Sequence, residues 1–348
     1  MSRNTIKAII YAFLAAVFYA INVPLSKLLL AHMEPTLMAG LLYLGAGIGI
    51  GEMSLFRVKG TKQADRLTKK DLPYVVGMIV LDIAAPIFLM FGITESTSSS
   101  ASLLGNFEIV ATTIIALFIF KEAVSKRLWA AILFITVASA MLSFDGTDGI
   151  RFSTGSLLVL AATLCWGLEN NCTRQISSKS TYEIVMLKGF FSGGGSLVIA
   201  FLLGERITDA KWVFVAMLLG FVAYGLSIFF YVRAQNTLGA AKTSAYYATA
   251  PFVGAGLSFL ILGERLTYLY FAAFVVMVLG TVLVVRDTLV RHHLHEHEHF
   301  VTHTHDGTTH THVVRHSHEH NHMLSDERHG HHHTKEELLL ALKEAHQT

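Results

Sequence analysis

Four ionisable side chains interrupt otherwise apolar stretches of the chain: Asp82, Glu108, Glu169 and Lys188. In hydrocarbon each costs about 2.5–3.5 kcal/mol on insertion scales, so each needs an opposite charge, a watery cavity or neutralisation. Groups of this kind bind solutes, carry coupling protons, or lock helices together as buried ion pairs, with Lys188 the cation available for pairing. Trp166 stands three residues before Glu169 and is expected on the same helix face. An aromatic ring beside a carboxylate suits a cationic or amphipathic solute, while plain packing is the competing use of Trp166. Asn22, Asn170, Tyr246 and Tyr247 add neutral hydrogen-bonding groups, which in lipid also serve to join helices.

A second set of chemical groups follows Arg291. Eighteen of the 19 histidines lie beyond it, in a dispersed His-x-His pattern that includes His292, His293, His295, His297, His299, His303, His305, His310, His312, His316, His318, His320 and His322. With Glu296, Glu298, Asp306 and Glu319 interspersed, the stretch offers imidazole and carboxylate to borderline metals such as Zn, Ni, Co or Cu. No fixed tetrahedral spacing is present, so a single structural zinc site is not expected. The competing reading is a solvated polar tail that gains positive charge below about pH 6.5. Few residues here could build a core, so the tail is expected to be disordered until something binds. Beyond the histidines, Thr334 and Glu337 form a capping-box pair ahead of a short amphipathic helix expected at 335–346.

The elements that must carry the first set are membrane spans. Only 15% of the 348 residues are charged and 53% are hydrophobic, against about 25% charged in a soluble domain. Apolar segments recur at the length of about 20 residues that crosses hydrocarbon. Ten are expected, at 6–30, 36–56, 72–93, 98–120, 127–144, 154–175, 183–203, 212–233, 240–262 and 267–285. The fold class is therefore all-α integral membrane, five spans to each half. The first span follows Arg3 and Lys7 and runs past the length of a signal-peptide core, so it is read as permanent. Lys and Arg crowd the loops on the side of the N-terminus, including 57–71, which predicts both termini in the cytoplasm of a multi-pass protein of the cell membrane. Cys165 and Cys172, seven residues apart on one span, rise about 10.5 Å, too far for a disulfide.

The chain also repeats itself. Residues 97–143 slide without a gap onto 239–285, placing Glu122 on Glu264. A shift of 147 aligns Tyr19 with Trp166 and Asn22 with Glu169. Five spans per copy put the second copy upside down, the arrangement in which carriers place a solute near the midplane between repeats. Gly45, Gly47, Gly49 and Gly51 in span two, and Gly193, Gly194 and Gly195 in span seven, are read as close-packing positions. Pro24 is expected to kink span one, and Pro86 follows Asp82 by one turn. Glu122 and Glu264 are read as exposed turn charges of small energetic worth. The expected organisation is 1–146 and 147–290 as two five-helix repeats, then 291–348 as the tail.

These features resemble the EamA-type family of drug/metabolite transporters. The likeness rests on the small residues Gly239-Ala240-Ala241, on Pro251, and on Gly263-Glu264 at the turn, with a degraded copy in the first half where Ile109 and Lys121 replace the Pro and the Gly. The resemblance implies a secondary carrier that moves small organic solutes by alternating access, often outward, and it covers residues 6–286. The expected function is export of metabolites such as amino acids or drug-like solutes, with a tail able to bind divalent metals and no cofactor required. Export of a divalent metal or a metal chelate is the first alternative, and a membrane-anchored metal sensor or buffer is the second. No nucleophile–base set points to an enzyme, and nothing in the chain points to nucleic acid.

Overall fold

The computed structural model describes residues 3–55, 66–120, 125–145, 151–176, 179–207, 209–238, 243, 246–264, 267–288, 290–305 and 308–323. They form two units, Met1–Asp287 and Thr288–Thr348. The first is helical. Eight of its helices are long and apolar enough to cross a membrane. The remaining two expected spans fall on Thr154–Ile176, whose apolar run is broken by Glu169-Asn170-Asn171, and on the shorter apolar helix Ala250–Leu262. Large apolar side chains such as Val80, Leu133, Phe214 and Phe271 lie exposed on the outside of this unit, as lipid contact requires.

The helices are α1 (Arg3–Ala20), α2 (Asn22–Leu29), α3 (Pro35–Leu55), α4 (Leu72–Glu95), α5 (Ser98–Leu104), α6 (Phe107–Phe120) and α7 (Lys126–Ser143) in the first half. The second half holds α8 (Thr154–Ile176), α9 (Thr181–Leu187), α10 (Gly193–Leu202), α11 (Ala210–Gly220), α12 (Ser227–Leu238), α13 (Ala250–Leu262) and α14 (Tyr268–Thr288). A two-stranded ribbon, β1 (Phe144–Asp145) with β2 (Arg151–Phe152), joins the halves. The heaviest helix contacts run between halves and obey a two-fold pattern. Span two (α3) meets its counterpart at α10 and also meets α11 of span eight, and the first part of span four (α5) meets α13. Span three (α4) meets α8, as span eight (α12) meets α1.

Local sequence explains where the helices stop. The first span breaks at Ile21 between α1 and α2, three residues before Pro24. Pro24 lacks the N–H that would serve the carbonyl of Ala20, and a Cβ added to Gly254 would stand 3.1 Å from that oxygen. Span four breaks at Gly105-Asn106 between α5 and α6, although Ile109 replaces the proline there. The second half breaks at Ala248-Thr249, just before Pro251, within one residue of the position equivalent to Gly105-Asn106. Gly263, at φ 63°, ends α13 in the left-handed region that suits glycine.

The span-two glycines do what their size suggests. An added Cβ at Gly45 would lie 2.0 Å from the Met217 carbonyl oxygen, and at Gly47 it would lie 2.9 Å from the Gly189 Cα. Gly51 and Gly194 differ, since a Cβ at Gly194 meets nothing and at Gly51 only side-chain ends at 3.9 Å or beyond. Neither cysteine is in a disulfide.

In the second unit, the stretch read from sequence as disordered until something binds holds two strands. Val290–His305 (β3) and Thr308–Met323 (β4) pair as an antiparallel hairpin, with His305 opposite Thr308. Thr and Val suit the strands. Loop 56–65, residues 239–242, Glu122, Arg265 and the helix expected at 335–346 lie outside the described residues.

Candidate functional site

The predicted residues separate into two places. Three of the four intramembrane charges meet. Lys188, in a π-helical turn at Lys188–Ser192, donates to Glu169 Oε1 at 2.5 Å and stands 3.3 Å from Asp82 Oδ2, an ion-pair contact outside hydrogen-bond geometry. Thr173 also donates to Glu169, and the Tyr43 hydroxyl donates to Asp82 Oδ1 at 2.8 Å. Asp82, Glu169 and Lys188 are 1%, 3% and 7% exposed, so the triad is closed to bulk water. Asn22 belongs to an adjoining polar string. Its amide donates to the Tyr224 hydroxyl at 3.1 Å and it accepts from Ser26, while the Tyr224 and Tyr43 rings lie 5.1 Å apart. Tyr224 sits in the second π-helical stretch, Phe221–Leu226. Single π turns of this kind interrupt helices often at functional positions.

The fourth charge lies elsewhere. Glu108, in the first turn of α6, accepts a hydrogen bond from the Asn170 amide at 2.6 Å and borders a cavity. This cavity measures about 70 Å³, which at about 10–15 Å³ per water has room for roughly five. Both helix breaks face it: Ser102, Gly105 and Asn106 from the first half, Tyr247, Ala248 and Pro251 from the second. Tyr19 and Trp166, the pair that a shift of 147 aligns, line it as well. The cavity therefore sits where the two halves mirror one another.

Polar satisfaction distinguishes its wall. Asn106 is 1% exposed and neither its amide nitrogen nor its oxygen has a hydrogen-bond partner among the described residues; the Ser102 hydroxyl is in the same state. Buried polar atoms left this way cost about 1–3 kcal/mol each, and here they border open space. A solute with both a donor and an acceptor would satisfy them.

The geometry revises several expectations. Trp166 borders the cavity while Glu169, on the same helix, is turned to Lys188, so the two do not form one subsite. Asn22 and Tyr246 do not line the cavity; the Tyr246 ring packs against Phe13 at 5.2 Å. Tyr247 does line it, with its ring 5.8 Å from that of Tyr19. Asn106, Ser102, Tyr43 and Tyr224 escape a reading based on charge, and only the polar Gly105-Asn106 pair amid apolar residues hints at the break. Glu264 is no exposed turn charge. Its carboxylate accepts from the backbone N–H of Ser98 at 2.6 Å and of Ser99 at 2.8 Å, capping α5 from the opposite half. Glu205 caps α3 in the same way through Thr36 and Leu37, and Lys27 donates to the carbonyls of Ile93, Thr94 and Ser96 at the end of α4. Among the side chains described, no group of three or more His, Cys, Asp or Glu could hold a metal.

Comparison with known proteins agrees with this architecture. A chain from Methanothermobacter thermautotrophicus described as an uncharacterized transporter is 24% identical over 286 residues, covering 76% of this chain and 82% of its own. Another of that description, from Clostridium kluyveri, is 23% identical over 291 residues, covering 80% of this chain and 92% of its own. A solved crystal structure superposes at TM-score 0.60 with 15% identity, over 79% of this chain and 95% of its own, a likeness of fold alone. The sequence profile of the EamA-like transporter family matches twice, at residues 6–144 and 153–286. With two copies of that profile over most of its length, the chain belongs to the EamA-like transporter family.

Proposed function

We propose that the protein is a secondary carrier that exports small organic metabolites, amino acids or drug-like amphipathic solutes among them, by alternating access. One observation carries this reading: a cavity between the broken helices of the two halves, walled by unsatisfied Asn106 and Ser102, by Glu108, and by the rings of Tyr19, Trp166 and Tyr247. The amide and hydroxyl pair with polar atoms of the solute and the rings hold its apolar part. Glu108 is the candidate for the coupling proton, because it borders the cavity and, among the described residues, no cation forms an ion pair with it. The Asp82–Lys188–Glu169 triad is a helix lock in this reading. No His or Cys lines the cavity, which disfavours a metal ion as cargo. Both termini lie in the cytoplasm, and the tail binds Zn, Ni, Co or Cu there.

Reconstitution in liposomes tests the assignment. Glu108→Gln keeps an oxygen to accept from Asn170, so the fold is expected to persist. Uptake of a responsive solute driven by a pH gradient is expected to vanish while solute exchange remains. Retained proton-driven uptake in that variant removes Glu108 from the mechanism. A sensor or buffer would show no flux in any form.

A further inference from the structure

The short connection between α4 and α5 is held from both sides. The Lys27 ammonium, in the last turn of α2, donates to the carbonyls of Ile93, Thr94 and Ser96 at 2.5, 3.1 and 2.9 Å. Just beyond them, the Glu264 carboxylate takes the N–H groups of Ser98 and Ser99. A cation thus meets the C-terminal end of one helix and an anion the N-terminal end of the next, each suited to the dipole it faces. The two charges come from opposite halves of the chain and attract one another across this corner. From the corner a seam runs to the cavity. The Ser98 and Ser258 hydroxyls lie 2.8 Å apart and are buried. One helical turn further in, Ser102 and Gly254 border the cavity itself. The helices α2, α4, α5 and α13 therefore converge between the cavity and the membrane face that span one reaches at its far end.

We propose that Lys27 and Glu264, clamping the α4–α5 corner, form the gate between the cavity and the membrane side opposite the N-terminus, shut in this structure. Release of the clamp swings α5 away from α13 and opens the cavity to that side. The inference rests on the carrier reading and adds to it the place of one of the two entrances. The parts suit the task. With seven residues, α5 is too short to persist as a helix by itself, so its caps and its packing fix it in place. It ends at the break Gly105-Asn106, and α13 begins at the equivalent break, so each piece has a hinge at the cavity. Lys27 and Glu264 are half-buried, and water replaces their backbone partners once the corner moves. The seam is built from serines and a glycine, so parting it exposes hydroxyls that water also satisfies. The buried Asp82–Lys188–Glu169 triad has no such replacement and suits a lock.

The test uses the full-length chain with C165A and C172A, which remove both native thiols, and Ala101→Cys as a reporter in the cavity wall. A membrane-impermeant maleimide is applied from either side of sealed vesicles of known orientation. Labelling from the side opposite the N-terminus is expected to rise about fivefold in K27M or E264A, the factor that loss of one cap represents, and further in the pair. K27R keeps the donor and is expected to label as slowly as the parent. E205A removes a similar cap from α3, away from the cavity wall, and is expected to change nothing. In a second arm, S98C/S258C places two thiols where the hydroxyls meet and joins α5 to α13 by a disulfide. Oxidation is expected to stop solute flux and reduction to restore it. Unchanged labelling in the K27M/E264A pair, equal increases from both sides, or flux through the oxidised cross-link overturns the gate. Absence of flux in the parent protein, with side-dependent labelling intact, overturns the carrier reading instead.

Discussion

The triad and the cavity wall are both buried polar arrangements, and they differ in whether their needs are met. Lys188 reaches two carboxylates, which also receive Tyr43 and Thr173. At the cavity, Asn106 and Ser102 have no partner among the described residues, and Glu108 has only a neutral amide. A satisfied network holds helices in place, here α3, α4 and α8 around the π turn that carries Lys188. An unsatisfied one bordering open space is where a polar guest lowers the free energy. Burial and charge alone do not separate these cases; hydrogen bonds and ion pairs counted together do, since Asp82 Oδ2 lacks a hydrogen bond but lies 3.3 Å from the Lys188 ammonium.

Breaking the satisfied network is expected to have the largest effect. Lys188→Met leaves two carboxylates buried without their cation, a loss of about 3–5 kcal/mol. It should appear as a sharply lower melting temperature in detergent, and the further changes D82N and E169Q should restore part of it. A melting temperature equal to wild type would mean that the triad locks nothing.

The cavity wall should respond in the opposite way. Asn106→Ala removes no hydrogen bond, so stability should hold or rise slightly, while solute affinity falls about tenfold or more. Lost stability with unchanged affinity would reverse the comparison and make Asn106 structural. The smallest effect is expected at the corners. Glu264→Ala removes the cap from α5 and should cost about 1 kcal/mol, with altered transport only if the loosened helix changes the cavity. These three variants rank the two regions and the frame around them.

Much of the frame is legible in the residues. Apolar length predicts the helices because lipid offers no partner to backbone groups, and eight spans meet that criterion where expected. The match at 97–143 and 239–285 places both helix breaks near the cavity even though only one half keeps its proline. Glu108 and Trp166, which border the cavity, were readable as candidates because polarity or size is conspicuous in an apolar span. Asn106, Tyr43 and Tyr224 were not, since an amide or a phenol in a helix carries no sign of what faces it.

The sequence by itself determined the membrane class, the doubled architecture and the list of charges that had to be compensated. All three follow from local quantities: hydropathy, spacing and residue type. Only the tertiary structure decided which charge met which. Asp82 lies far along the chain from Glu169 and Lys188, which are 19 residues apart on successive elements, and Glu264 reaches backbone 165 residues away. Pairwise interactions between distant segments depend on packing, and packing is set by the whole chain at once.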